Sequence, residues 1–279
     1  MNYSEIPKEP IVFEGKEVGK TVIILGGIHG DEVCGIETVN FLRNNPPDIK
    51  RGRLILMYGN LKAIESGTRQ FDFNLNRMFL NNDKYLTEHY KTYEYTRANE
   101  IKPYLNEADI LLDIHSVKSQ DGTPFIICEN NAKEIVKYFP FLINCSGFDE
   151  AHPGGTDGYM NSLGKIGICI ECGTHTDPKA FERAIESVNT FLKVTDIIDG
   201  KDGLIINDKQ KSFNCYFVYK TKSNFVLAKD FIDFTELKKG DLIGFDNNQE
   251  VYAEKDNIIV FAQNREKPNQ EAFCLLEEV

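Results

Sequence analysis

The chain has 279 residues with 43 acidic against 32 basic side chains, a formal net charge of −11 that argues against nucleic acid or an anionic membrane as partner. A hydrophobic share of 41% and a charged share of 27% are those of an ordinary globular protein. No run approaches the roughly 18 apolar residues of a bilayer span, and "MNYSEIPKEP" lacks the basic start and apolar core of a secretory signal. The 7 cysteines are odd in number and scattered through apolar segments, which suits reduced, buried thiols in a cytoplasmic protein. Cys169 and Cys172 form a lone CxxC with no second pair to complete a metal site.

Up to about residue 200 the chain alternates strands and helices. Strands are expected at Thr21–Leu25, Arg53–Tyr58, Ile110–Ile114, Phe125–Cys128 and Ile166–Ile170. They are short, rich in Ile, Leu and Val and not alternating, as strands covered on both faces are. Helices are expected at Glu32–Arg43, Glu88–Glu107, Ala132–Tyr138 and Pro178–Ile198, the last with Asp177 as cap and Pro178 in its first turn. This rhythm predicts an α/β sheet with helices on both faces. The segment "HPGGTDGYMNSLGK", with Gly154, Gly155 and Gly158, reads as a mobile loop. Past "IIDGKDG" the pattern turns to short strands separated by Gly, Asp, Asn and Lys, so the chain divides into an α/β domain over 1–203 and a small C-terminal all-β domain over 204–279.

In open α/β sheets, ligands bind beyond the carboxyl ends of the strands. Polar residues there carry most weight. In "VIILGGIHGDEVCGIETVNFL" a strand runs into glycines and delivers His29 and Glu32 within four positions; His115 follows "ADILLDI" and Glu171 follows "GKIGICI". Two histidines and one carboxylate form a set that catalytic zinc sites use, leaving a coordination position open. Gly26, Gly27 and Gly30 let the turn close. Glu171, after a run of apolar and small residues, suits a general base whose pKa desolvation raises. In "TRQFDFNLNRMF", Arg69 and Arg77 would be the electropositive part, one to polarise a carbonyl and one to pair with a substrate carboxylate. The glycine-rich opening is neither a Walker loop nor GxGxxG, and Asp31 and Glu32 would repel phosphate.

"GGIHGDE", "TRQFDFNLNRMF", "LLDIHS" and "ICIECG" occur in the order and approximate spacing of the succinylglutamate desuccinylase/aspartoacylase family, which belongs with the zinc carboxypeptidases. The chain resembles that family over residues 20–175, and its β-rich tail fits the family's C-terminal domain. The resemblance implies a zinc-carboxypeptidase-like mixed sheet, one Zn²⁺ on His29, Glu32 and His115, and Glu171 as general base. It implies Arg69 as carbonyl polariser, Asn76 and Arg77 on a substrate carboxylate, and a tyrosine reaching over from the C-terminal domain, for which Tyr252 is the candidate. The implied reaction is hydrolysis of the amide of an N-acyl amino acid or similar small carboxylate-bearing amide. A carboxypeptidase-like peptidase on a short peptide and a non-catalytic ligand-binding relative are the alternatives, and a homo-oligomer is left open.

Two departures from the family pattern stand out. Asn74 replaces the usual Asp before Leu-Asn-Arg, a change expected to alter a contact behind the metal ligands. Asn161 stands where the aspartoacylase branch has a further arginine, which counts against N-acetylaspartate as the substrate. Lys118 and Lys165 are alternative sources of charge, and His152 and His175 are further proton carriers in reach by sequence.

Overall fold

The structure, a computed structural model, describes residues 6–80, 84–118 and 122–279. Its first part contributes strands β1 (Ile11–Glu14), β2 (Glu17–Gly26), β3 (Arg51–Tyr58), β4 (Ile110–Val117), β5 (Phe125–Cys128), β6 (Ile143–Ser146) and β7 (Ile166–Thr174). The helices are α1 (Val33–Asn44), α2 (Leu61–Ser66), α3 (Tyr93–Glu107), α4 (Lys133–Val136), α5 (Phe148–Ala151), α6 (Thr156–Ser162) and α7 (Ala180–Val194). The remainder is β8 (Lys211–Lys220), β9 (Phe225–Leu227), β10 (Thr235–Leu237), β11 (Leu242–Asp246), β12 (Gln249–Tyr252), β13 (Asn257–Val260) and β14 (Glu271–Glu278).

One 11-stranded sheet runs β1-β3-β2-β4-β7-β5-β6-β8-β14-β13-β10, and a separate antiparallel sheet of 3 strands runs β12-β11-β9. Strands β3, β2, β4 and β7 are parallel, so their carboxyl ends share one edge. Strand β5 enters antiparallel to β7, which makes the sheet mixed. The uninterrupted apolar runs are explained by burial on both faces. Val22, Ile24, Leu54, Leu56 and Leu112 pack with residues of α1 and α7, such as Val39 and Phe191. Ile23, Leu25, Ile55, Met57 and Leu111 pack with Ala98, Ile101 and Leu105 of α3. Each such side chain contributes about 1.5–3 kcal/mol on leaving water.

Where expectation and structure differ, local chemistry decides. The helix expected from Glu88 is a 3₁₀ turn at His89–Lys91 followed by α3, because the Thr92 side chain accepts from Tyr95 N and caps a fresh start. Helix α7 begins at Ala180, two residues past Pro178; the Asp177 carboxylate still serves the entry by accepting from Lys179 N at 2.8 Å. The glycine-rich "HPGGTDGYMNSLGK" segment is not a loop throughout, since α6 forms within it and Met160 is fully buried in the α3 core. Of the expected Ala132–Tyr138 helix, Lys133–Val136 is α-helical, preceded by a 3₁₀ turn. The composition change near residue 203 does not interrupt hydrogen bonding, because β8 pairs in parallel with β6 and carries β14, β13 and β10 onto the same sheet. Among the described residues no helix is long and apolar enough to cross a membrane.

Candidate metal and catalytic site

The site grows from the carboxyl ends of β2, β4 and β7. After Gly26 the chain turns at Gly27, whose φ of +76° is the left-handed region that side chains avoid. Gly30 lies against α2 so closely that a Cβ would stand 2.1 Å from the Ala63 carbonyl carbon. Glu32 N donates to His29 O across this turn, and Glu32 takes the N-cap position of α1 without capping it. Its side chain is thus free to face inward.

The Glu32 carboxylate bridges two histidines. Oε1 lies 2.7 Å from His29 Nδ1, and Oε2 lies 2.8 Å from His115 Nδ1. The two rings are 5.1 Å apart, and all three residues are buried. On the far side, His29 Nε2 is 3.0 Å from Asn74 Oδ1, and His115 Nε2 is 3.2 Å from Asp113 Oδ2. Asn74 Oδ1 also accepts from Asn76 N at 2.9 Å, which fixes the amide orientation, so His29 Nε2 is the donor to it. A neutral His29 therefore turns its Nδ1 lone pair toward a carboxylate oxygen.

Electrostatics sharpen that conflict. Burial, reinforced by the Arg69 charge, lowers the pKa of His29 to about 4, so it is neutral at pH 7. An acceptor facing an acceptor at this distance calls for a cation between them, and His29, Glu32 and His115 form a group able to hold a metal ion. Burial opposes charge on His115, but Asp113 and Glu32 outweigh it and drive its pKa well above the ordinary value. A bound cation would take the place of that proton. Glu32 is likewise opposed by burial, yet the two histidines hold it well below the usual carboxylate range.

Glu171 sits beside this group. It is the register partner of His115 in the β4–β7 pairing and of Phe125 on the other side. It is buried, and its Oε2 has no hydrogen-bond partner. Burial pushes its pKa well above the carboxylate norm, with Glu32 and Asp233 adding to the push and His115 and Arg69 opposing it.

Arg69 reaches in from the loop after α2, its Nη1 donating to Glu32 Oε1 at 3.0 Å while its side chain stays 46% exposed. Glu94 holds that loop in place. Its fully buried carboxylate accepts from Phe71 N, Asp72 N and Phe73 N and from Asn60 Nδ2, at 2.8 to 3.2 Å. Asn76 and Arg77 follow in a 3₁₀ turn, where Asn76 Oδ1 accepts from Thr156 N at the start of α6.

Arg77 is committed to protein partners. Its Nε and Nη2 meet the Glu271 carboxylate at 3.1 and 3.0 Å, Nη1 donates to Asn76 O, and Nη2 reaches His152. Burial and the Arg77 charge bring the His152 pKa down to about 4, leaving it neutral between its two partners. The fork expected on a substrate carboxylate therefore faces Glu271.

The structure thus brings His29, Glu32, His115, Glu171 and Arg69 together, with Asn76 and Arg77 behind them, and leaves Tyr252 apart. Tyr252 lies on β12 of the small sheet, 46% exposed, with its hydroxyl bonded to Glu250. Lys165 is tied to the Leu105 and Asn106 carbonyls, Asn161 to Asp149, and Lys118 is exposed. His175 Nδ1 lies 2.9 Å from Ser116 Oγ, beside His115. Cys169 and Cys172 are free, buried thiols in different core clusters, so they do not share a site. Asp113 had a legible signal, since Asp-x-His on a strand puts both side chains on one face. Glu94 and Glu271 had none.

The family model for the succinylglutamate desuccinylase/aspartoacylase catalytic domain matches residues 18–195. A probable aspartoacylase of Nostoc sp. is 26% identical over 235 residues, covering 80% of this chain and 76% of that protein. An N-acyl-aromatic-L-amino acid amidohydrolase (carboxylate-forming) of Rattus norvegicus is 30% identical over 173 residues, covering 54% of this chain and 52% of the rat protein. This chain therefore spans about half the length of the rat relative. In fold, it superposes on the succinylglutamate desuccinylase of Vibrio cholerae with a TM-score of 0.78 at 16% identity, over 96% of this chain and 85% of that one. The matched relatives are deacylases by name, and the chain belongs to the succinylglutamate desuccinylase/aspartoacylase family.

Proposed function

We propose that the protein is a zinc-dependent deacylase that hydrolyses the amide of an N-acyl amino acid or a similar small carboxylate-bearing amide. The observation that carries this reading is Glu171, buried and in register beside His115, with one carboxylate oxygen unpartnered. Zinc on His29, Glu32 and His115 supplies the Lewis acidity that makes a water nucleophilic at neutral pH. The chain's own residues do the rest. Glu171 takes the proton of the attacking water at Oε2 and hands it to the amine nitrogen as the C–N bond breaks. Its raised pKa suits it to hold that proton between the two transfers. Arg69, half in solvent, turns its guanidinium to the scissile carbonyl and stabilises the oxygen as charge gathers there.

A small substrate is favoured over a longer peptide because Glu271 of β14 ties the C-terminal segment down onto Arg77. A binding protein without turnover has no need of a buried base beside the metal donors. Elemental analysis tests the metal, with about one zinc per chain expected and its loss in His29→Ala. Hydrolysis of N-acetyl-L-aspartate, N-succinyl-L-glutamate and N-acetyl-L-phenylalanine tests the reaction. Glu171→Gln should bind zinc like the wild type and lose about 10²–10⁴-fold in kcat. Wild-type protein that takes up no zinc after reconstitution, or Glu171→Gln with an unchanged rate, would refute the mechanism.

A further inference from the structure

Asp31 and His175 take no part in the chemistry derived above, yet both stand against Glu32. Asp31 lies in the turn that carries His29, one residue before Glu32 at the N-cap of α1. His175 follows the end of β7 and is pinned to the end of β4, its N donating to Val117 O at 3.0 Å. Ser116 orients the His175 ring: its Oγ lies 2.9 Å from His175 Nδ1, while its N donates to Glu32 Oε2 at 3.3 Å. One donor atom each from Asp31, Glu32 and His175 lie within 4.8 Å of one another. Glu32 is buried, whereas the Asp31 and His175 side chains are 25% and 18% exposed, so the group opens to solvent on that side.

Two atoms of the group are buried with no hydrogen-bond partner among the described residues, Asp31 Oδ1 and His175 Nε2. His175 Nε2 faces Asp31 Oδ2 at 3.8 Å, too far for a hydrogen bond. Neither tautomer of the neutral ring resolves this. With the proton on Nδ1, donated to Ser116 Oγ, Nε2 turns a bare lone pair toward a carboxylate. With the proton on Nε2, a buried donor is left without an acceptor. A cation between the two side chains selects the first tautomer and takes up both the lone pair and the carboxylate. The spacing suits it, since two donor atoms each about 2.0–2.2 Å from one ion stand about 3.3–4 Å apart. Ser116 Oγ then does what outer acceptors do for metal-bound histidines, fixing the tautomer and the ring plane. One imidazole and two carboxylates suit a divalent transition-metal ion such as zinc or manganese.

We infer that Asp31, Glu32 and His175 form a second site for a divalent transition-metal ion, which shares the Glu32 carboxylate with the group of His29, Glu32 and His115. It is the weaker of the two, because it is open to water and its central carboxylate is divided between two ions. The inference does not need the deacylase reading. It stands on Asp31 and His175, which that reading does not use, and it makes Glu32 a bridge when metal is in excess.

The test strips the full chain with a chelator and titrates it with Zn²⁺ alone, counting bound equivalents by calorimetry and by elemental analysis after equilibrium dialysis. The wild type should take up a tight equivalent, the one that survives gentle purification, and then a weaker one. Asp31→Asn and His175→Gln should each keep the tight equivalent, while the apparent Kd of the weaker one rises at least about 10–100-fold, the loss that even an outer partner brings. His29→Ala should do the reverse, keeping an equivalent that adding His175→Gln removes. Melting curves of the metal-free variants show which are folded, and either single variant decides alone if the other is not. A weaker equivalent that persists in folded Asp31→Asn or His175→Gln overturns the inference. So does a wild type that saturates at one equivalent which His29→Ala removes, an outcome that leaves the zinc of the deacylase reading in place. A single equivalent kept by His29→Ala and lost in His175→Gln supports the inference and removes that zinc instead. A wild type that binds none overturns both.

Discussion

Arg77 and Glu271 lie 194 positions apart and meet edge to edge, Nε on Oε1 at 3.1 Å and Nη2 on Oε2 at 3.0 Å. This pair joins the 3₁₀ turn at Leu75–Arg77 to the last strand. Burial alone would raise the Glu271 pKa, but Arg77 and His152 outweigh it and hold the carboxyl well below its ordinary range. A depressed carboxyl stabilises the fold fully above its unfolded pKa and loses that contribution as pH falls toward the folded one. Glu271→Gln should therefore cost about 1–3 kcal/mol at neutral pH. In urea unfolding, the gap between wild type and variant should narrow from about pH 5 to about pH 3. A gap that stays flat would show that the carboxylate charge contributes nothing to the fold.

Glu94 makes a different kind of prediction. It gathers three successive backbone N–H groups of the Arg69 loop onto one buried carboxylate. Glu94→Ala releases all three and should cost about 2–4 kcal/mol. It should also lower kcat/KM at least about tenfold, because Arg69 loses its fixed approach. A destabilised variant with wild-type kcat/KM would separate the loop's order from the chemistry.

Asn74 supports His29 through a neutral amide oxygen. Replacing it with Leu leaves His29 Nε2 without an acceptor and should weaken zinc binding about 10–100-fold. Asn74→Asp should bind zinc at least as tightly as the wild type, since a carboxylate acceptor makes the ring more basic. Competition with a chromogenic chelator measures all three proteins. Identical affinities would remove Asn74 from the support of the metal.

Asp157, in the first turn of α6, titrates in the opposite sense to Glu271. Burial raises its pKa to about 6, with Asp149 and Asp113 adding repulsion. A carboxyl raised in the folded state costs stability as pH climbs past its unfolded value, and that cost is complete above its folded one. Asp157→Asn should therefore be more stable than the wild type by about 1–3 kcal/mol at pH 8, with about half that gain at pH 5. Thermal melts at the two pH values test it; a gain independent of pH would point to packing.

What the sequence revealed follows from how local each signal is. Gly27 and Gly30, the strand-end histidines and Glu171 all sit on segments whose apolar runs announce buried strands, and the strands themselves appear where those runs lie. The start of α3 does not show in the sequence because Thr92, a cap, looks like any polar residue inside a helical period. Strands β1 and β10 are only 4 and 3 residues long, too short for a pattern of their own. Glu271 is invisible in the sequence for a deeper reason. Its partner lies far along the chain, and nothing in "QNREKPNQEAF" records that Arg77 waits there. The bidentate fork expected of Arg77 on a substrate carboxylate is turned, in the structure, to the Glu271 carboxylate.

The parallel pairing of Ile143–Ser146 with Lys211–Asn214 has a practical consequence. Trimming the chain at residue 203 would strip β6 of that neighbour and leave its ladder groups bare, an adhesive border for a second molecule. The severed fragment would in turn lose the strand that templates β8. Versions of this protein cut at the point where its composition changes should therefore precipitate.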